Sequence, residues 1–144
     1  MTCIFCDILA DRIPASWVIQ DELVVAFMDI QPVNTGHVLV IPRQHAPALA
    51  ELNEDSGAQM FRVGQRVAPA LRQRGLPCEG VNFFLADGEA AGPDVFHVHL
   101  HVFPRYTGDG FGFKFGPHYR TLPTRAALDQ TAQQIHTALL KNNQ

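Results

Sequence analysis

The chain has 144 residues, 47% of them hydrophobic, and a formal net charge of −3 with histidine neutral. That is enough chain for one domain with a buried core, and too apolar a composition for disorder. The charge, with no Lys/Arg block, disfavours broad electrostatic binding to a nucleic-acid duplex, although a local site can still take a small phosphate ligand. No apolar run approaches the ~20 residues of a membrane span. The N-terminus, Met1-Thr2-Cys3-Ile4-Phe5-Cys6-Asp7, lacks the basic-then-apolar pattern of a signal peptide, so a reducing cytoplasm is the expected location. Three cysteines, two of them in a C-x-x-C pair, do not make a disulfide framework.

In chain order, residues 3–11 read as a short helix carrying the cysteine pair. Segments 16–20 and 23–28 are apolar and rich in β-formers, and Asp21-Glu22 between them makes a hairpin. Pro32-Val33-Asn34-Thr35-Gly36 is a turn cluster, followed by a continuous apolar strand from His37 to Ile41 that Pro42 closes. Met60, Val63, Gly64, Val67 and Leu71 recur at helical spacing within residues 55–74. Pro69 is expected to kink or split that helix, and Gly75 and Pro77 end it. Val81 to Leu85 is a strand, residues 87–93 a loop, and Val95 to Phe103 a further strand. Residues 108–116, with four glycines and three phenylalanines, form an ordered loop. Residues 124–141 form a last helix offering Ala127, Leu128, Ile135, Leu139 and Leu140 for packing, with Lys141 suited to its last turn. The class is α+β with a mainly antiparallel sheet. Residues 1–144 read as a single domain, with about 106–144 as an extension.

His97-Val98-His99-Leu100-His101-Val102-Phe103 carries the chemistry. Side chains alternate along a strand, so the three histidines share one face and Val98, Leu100 and Val102 share the other. Valine or threonine would suit a strand better than aligned imidazoles. Metal binding, nucleophilic attack on phosphorus by a neutral imidazole, and a polar face without chemistry all fit the pattern.

The His-φ-His-φ-His-φ-φ pattern, where φ is apolar, resembles the signature of the histidine-triad family. Further blocks resemble that family in the same order: Cys3-Ile4-Phe5-Cys6, the run from Ala26 to Pro32, the run from Gly36 to His45, and Phe103-Pro104-Arg105. The match runs from residue 3 to about residue 115. The resemblance implies a five-stranded antiparallel sheet with a long helix and a C-terminal helix, and a homodimer. It implies a hydrolase or transferase that attacks the α-phosphorus of nucleoside phosphoramidates, adenylates or dinucleoside polyphosphates through a nucleotidyl-histidine. The ligand is then a purine nucleotide or a nucleotide conjugate.

By that resemblance His99 is the nucleophile, and His101 and His37 stand beside the phosphate. Asp29 holds the ribose hydroxyls, and Phe27 and Ile30 lie near the base. Zinc-bearing members of the family supply a cysteine pair and two histidines, here Cys3, Cys6, His45 and His97, for a structural ion that takes no part in the chemistry. Pro93, Asp94 and Ala86 depart from the family pattern. Asp94 stands where a hydroxyl residue would meet the leaving group, and a carboxylate there suits a cationic or amine leaving group. The same departures support a second reading, a nucleotide-binding or scaffold protein with little activity. A metallohydrolase with one open zinc on the three histidines would need a carboxylate base and leaves the cysteine pair unexplained. Cys78, His118 and His136 lie outside every block and read as structural or surface residues.

Overall fold

The computed structural model describes residues 2–73 and 75–142. Among these, five strands form one sheet: Trp17–Gln20 (β1), Val24–Met28 (β2), Val38–Pro42 (β3), Gly80–Phe84 (β4) and Leu100–Arg105 (β5). Their order is β1-β2-β3-β5-β4, and every neighbouring pair is antiparallel. Three α-helices are Ile4–Leu9 (α1), Glu54–Leu71 (α2) and Arg125–Asn142 (α3). The α+β class and the five-stranded antiparallel sheet are therefore as the sequence implies.

The continuous apolar runs of β2 and β3 follow from a sheet covered on both faces. Val24, Ala26, Val38, Val40, Leu100 and Val102 point to one side, where Met60, Val63, Val67 and Leu71 of α2 close the core. Val25, Phe27, Leu39 and Ile41 point to the other, against Phe5 and Ile8 of α1. The Asn53 side chain accepts the Ser56 N–H at 2.8 Å and caps α2, a contact worth about 1 kcal/mol.

Two expectations change in detail. Pro69 does not split α2, because it falls in the last turn. The carbonyls of Pro69 and Ala70 accept from Arg72 and Gln73 at 3.2 Å, three-residue contacts that end the helix just past the proline. The histidine segment is a strand only from Leu100, not from Val95. Val40 pairs with Leu100, which would bring Pro42 opposite Val98, and proline has no N–H to give. The Val98 N–H turns instead to the Ala46 carbonyl at 2.8 Å. Side-chain alternation survives this: Val98, Leu100 and Val102 remain in the α2 core, while Phe5 of α1 meets the rings of His97 and His99.

Gly36 precedes His37 with φ of +103°, a conformation that side chains other than glycine's rarely adopt. A Cβ there would also meet Leu76 and Pro104 at 3.3 Å.

The chain divides into two compact units, one ending at Phe111 and the other starting at Gly112. All five strands, α1 and α2 belong to the first. In the second, the Thr124 hydroxyl accepts the Ala127 N–H at 3.2 Å and caps α3. Phe115 stacks on Tyr119 there with centroids 3.8 Å apart. The α3 residues Leu128, Ile135, Leu139 and Leu140 are exposed, as are His118 and His136. No helix among the described residues is long and apolar enough to cross a membrane.

Candidate active site and metal cluster

Register lines up Phe27, Leu39, His101 and Phe84 across β2, β3, β5 and β4 on the α1 side of the sheet. Over this row lies a cavity of about 590 Å³. Phe5, Ile8 and Ile13 wall it, Phe27 and Leu39 floor it, and Asp29, Asp94, His99 and His101 supply its polar groups. Phe5 packs edge-on against both Phe27 and His99, with centroids at 5.8 and 5.2 Å. A mostly apolar slot with a few convergent polar groups is how small-molecule sites are built.

Backbone groups fix the proton positions of the histidines. His99 is buried, and its Nδ1 lies 2.8 Å from the His97 carbonyl. A carbonyl only accepts, so the neutral ring carries its proton on Nδ1 and keeps a lone pair on Nε2. His97 Nε2 donates to the Pro42 carbonyl at 2.8 Å, which leaves its Nδ1 as the lone-pair nitrogen. His37 is the reverse of His99. The Val33 N–H donates to its Nδ1 at 3.0 Å, so the proton is on Nε2. That Nε2 lies 2.9 Å from Nδ1 of His101, which must accept, and His101 therefore holds its own proton on Nε2.

Burial lowers the proton affinity of His37, against the opposing pull of Asp29. Burial also lowers that of His97, helped by His45 and His99 and opposed by the bond to the Pro42 carbonyl. His101 falls to about 4, first through burial and then through His99 and His37, against Asp29 and Asp94. These three rings are neutral near pH 7.

Asp29, His37 and His101 also bring three potential metal-ligand atoms together. The Val33 N–H argues against an ion there. A metal on His37 Nε2 needs that nitrogen's lone pair and moves the ring proton to Nδ1, where it would face the amide hydrogen. The group is arranged to pass hydrogen bonds rather than to ligate.

A second cluster has the opposite character. Cys3 Sγ and Cys6 Sγ lie 3.5 and 3.7 Å from His97 Nδ1, Cys6 Sγ lies 3.4 Å from His45 Nδ1, and the two Nδ1 atoms are 3.2 Å apart. These are close to the separations of ligand atoms around one tetrahedral zinc ion, and two thiols with two imidazoles suit that metal. His97 presents a lone pair to the cluster because its proton is taken up at Pro42. Burial, Cys3 and Asp7 push the Cys6 thiol up, against Arg12, so a thiolate pair there calls for a cation.

The residues singled out by sequence thus fall into two neighbouring groups. The cavity gathers Phe27, Asp29, Ile30, Asp94, His99 and His101, with Ile30 93% exposed and Asp94 exposed at its edge. His37 stands outside the lining, bonded to His101. Cys3, Cys6, His45 and His97 form the second group, whose four ligand atoms could hold one metal ion. Pro93 and Ala86 are not among the described lining residues. Sequence reasoning missed the wall of Phe5, Ile8 and Ile13 and the part played by the Val33 amide; the i, i+3 spacing of Phe5 and Ile8 was the available signal for the wall.

Comparison with known proteins places these features in context. The family model described as HIT domain matches residues 10–108. "Protein hit" of Bacillus subtilis is 44% identical over 117 residues, covering 81% of this chain and 80% of that one. Adenosine 5′-monophosphoramidase hnt1 of Schizosaccharomyces pombe is 35% identical over 124 residues, 85% of this chain and 89% of its own. The crystal structure of a zinc-bound histidine triad family protein from Mycobacterium smegmatis superposes with a TM-score of 0.73 at 41% identity, covering 93% of this chain and 98% of that one.

Proposed function

The chain belongs to the HIT domain family, and we propose that it cleaves nucleotide conjugates at the α-phosphorus, with His99 Nε2 as the nucleophile. Phosphoramidates, adenylates and dinucleoside polyphosphates are the substrate classes. The observation that carries this reading is the His99 tautomer: the His97 carbonyl holds the Nδ1 proton at 2.8 Å and leaves Nε2 unprotonated beside the cavity. The 35% identity to the S. pombe monophosphoramidase supports the reaction class.

The base lies in the apolar part of the cavity, against Phe5, Ile8 and Phe27, and Asp29 accepts from the ribose hydroxyls. The Nε2–P bond forms as the bond from phosphorus to the leaving nitrogen or oxygen breaks. The His97 carbonyl stabilises the positive charge that develops on the His99 ring. His101, with its proton on Nε2, donates toward the phosphoryl group or the departing atom. The His37 Nε2–H, 2.9 Å from His101 Nδ1, holds His101 in that tautomer, and the departing atom takes its proton from solvent. Water then attacks phosphorus, frees His99 and releases the nucleoside monophosphate.

Cys3, Cys6, His45 and His97 fit a zinc ion, and the zinc-bound M. smegmatis neighbour supports one. Four protein ligands leave no open position, so such an ion ties α1 to the start of the histidine segment without joining the reaction. We also infer a cytoplasmic homodimer built on one catalytic domain with a C-terminal extension; sedimentation at working concentration tests the dimer.

Adenosine 5′-phosphoramidate tests the function. Wild type should release adenosine monophosphate, and a folded His99→Ala protein should lose about 10³-fold or more in kcat, the scale of losing a nucleophile. Equal release by the two proteins refutes the assignment. Binding without release by wild type transfers the pocket to a nucleotide-binding role.

A further inference from the structure

The electrostatics of the cavity point past the reaction class to the leaving group. The cavity's described lining holds two carboxylates, Asp29 and Asp94, and no lysine or arginine. Asp29 Oδ2 lies 3.5 Å from His37 Nε2 and 3.9 Å from His101 Nδ1. Both rings are neutral near pH 7, so His101 offers the cavity a hydrogen bond without positive charge. Arg12 is paired with Asp7, Arg43 donates to the Asp21 carbonyl, and Arg105 is paired with Asp109.

The two carboxylates differ in what is left for them to do. The backbone turn at Asp29 gives its side chain the Gln31 N–H at 2.8 Å, and the ribose takes its free lone pairs. Asp94 is exposed, and no hydrogen bond or ion pair to it is found among the described residues. It lies three residues before His97, on the edge of the same cavity as His99 and His101, and close enough to raise the proton affinity of His101.

Resting on the function proposed above, we infer that Asp94 selects substrates whose leaving group carries a positive charge, such as the phosphoramidate of a diamine or of a basic amino acid. The nucleotide's single phosphoryl charge meets the neutral donors at His101, and an ammonium on the leaving group meets Asp94. A polyphosphate would instead place several negative charges beside two carboxylates with no cation to offset them. Of the three substrate classes, the dinucleoside polyphosphates are then the poorest.

The test compares three substrates: the adenosine 5′-phosphoramidates of a diaminobutane and of the matching aminobutanol, and diadenosine tetraphosphate. Wild type is expected to prefer the diamine conjugate over the hydroxyl conjugate by roughly 10-fold in kcat/KM, the scale of one partly exposed charge pair, with the tetraphosphate last. Asp94→Asn should abolish the preference between the two phosphoramidates, and Asp94→Lys should move the tetraphosphate ahead of the diamine conjugate. Equal rates on both phosphoramidates, or a preference that persists in Asp94→Asn, overturn the inference. Binding of the same three compounds to His99→Ala protein reads the selection without turnover. If wild type cleaves none of them, the catalytic assignment fails, and the order of these affinities still decides the role of Asp94.

Discussion

His97, His99 and His101 stand two residues apart, yet their protons lie on Nε2, Nδ1 and Nε2 in turn. The partners that set this are the Pro42 carbonyl, the His97 carbonyl and, through His37, the Val33 amide. Residue identities and alternation were readable from the chain because a strand repeats every two residues. The proton positions were not, since two of these contacts span 55 and 64 residues. A consequence appears in stability. Folding depresses the proton affinity of His37, His97 and His101, so between about pH 4 and 6.5 the unfolded chain binds more protons. Stability is then full above that window and falls as pH drops through it. In chelator, so that metal loss contributes nothing, the urea midpoint should be level from about pH 7 to 8 and clearly lower near pH 5. His101→Gln should reduce the drop, and an unchanged midpoint at pH 5 would contradict the burial argument.

At the scale of elements, α2 was legible from its apolar spacing, but its closeness to the sheet was not. That depends on Gly64, where an added Cβ would come within 3.0 Å of Phe83 Cε2 and 3.1 Å of Leu100 Cδ2. Gly64→Val should therefore cost about 1–3 kcal/mol by overpacking, read as a lower urea midpoint, despite valine's better helix propensity. A stabilised variant would mean that Phe83 has room to yield. The start of β5 is the other element the chain concealed. Pattern alone extends the strand to Val95, because apolar alternation continues past the point where Pro42 ends the ladder. The departure serves the site: the Val98 N–H bonds to the Ala46 carbonyl, next to His45, whose ring reaches His97 at 3.2 Å.

In the first unit, a charged hydrogen-bond network closes the far end of β5. Arg105 holds Asp109 through Nε at 2.6 Å and Nη2 at 3.0 Å, and Asn34 donates to the same carboxylate at 2.8 Å. These contacts hold Asp109 well below the usual carboxylate range and join the loop after β5 to the turn that precedes His37. The sequence set Arg105 in one block and the turn between two others, but could not say that they meet. The cavity was hidden for a similar reason: its wall is α1, whose link to the histidines is a matter of tertiary packing. Phe5 lies between Cys3 and Cys6 in the chain and against His97, His99 and Phe27 in space, so one ring borders both the candidate metal cluster and the cavity. Any coupling between two equilibria that share a ring must be reciprocal. If removing zinc with a chelator weakens binding of adenosine monophosphate by some factor, the nucleotide must tighten retention of zinc by that same factor. Titrating each ligand with the other present and absent measures both numbers, and independent affinities would mean that α1 keeps its place without the ion.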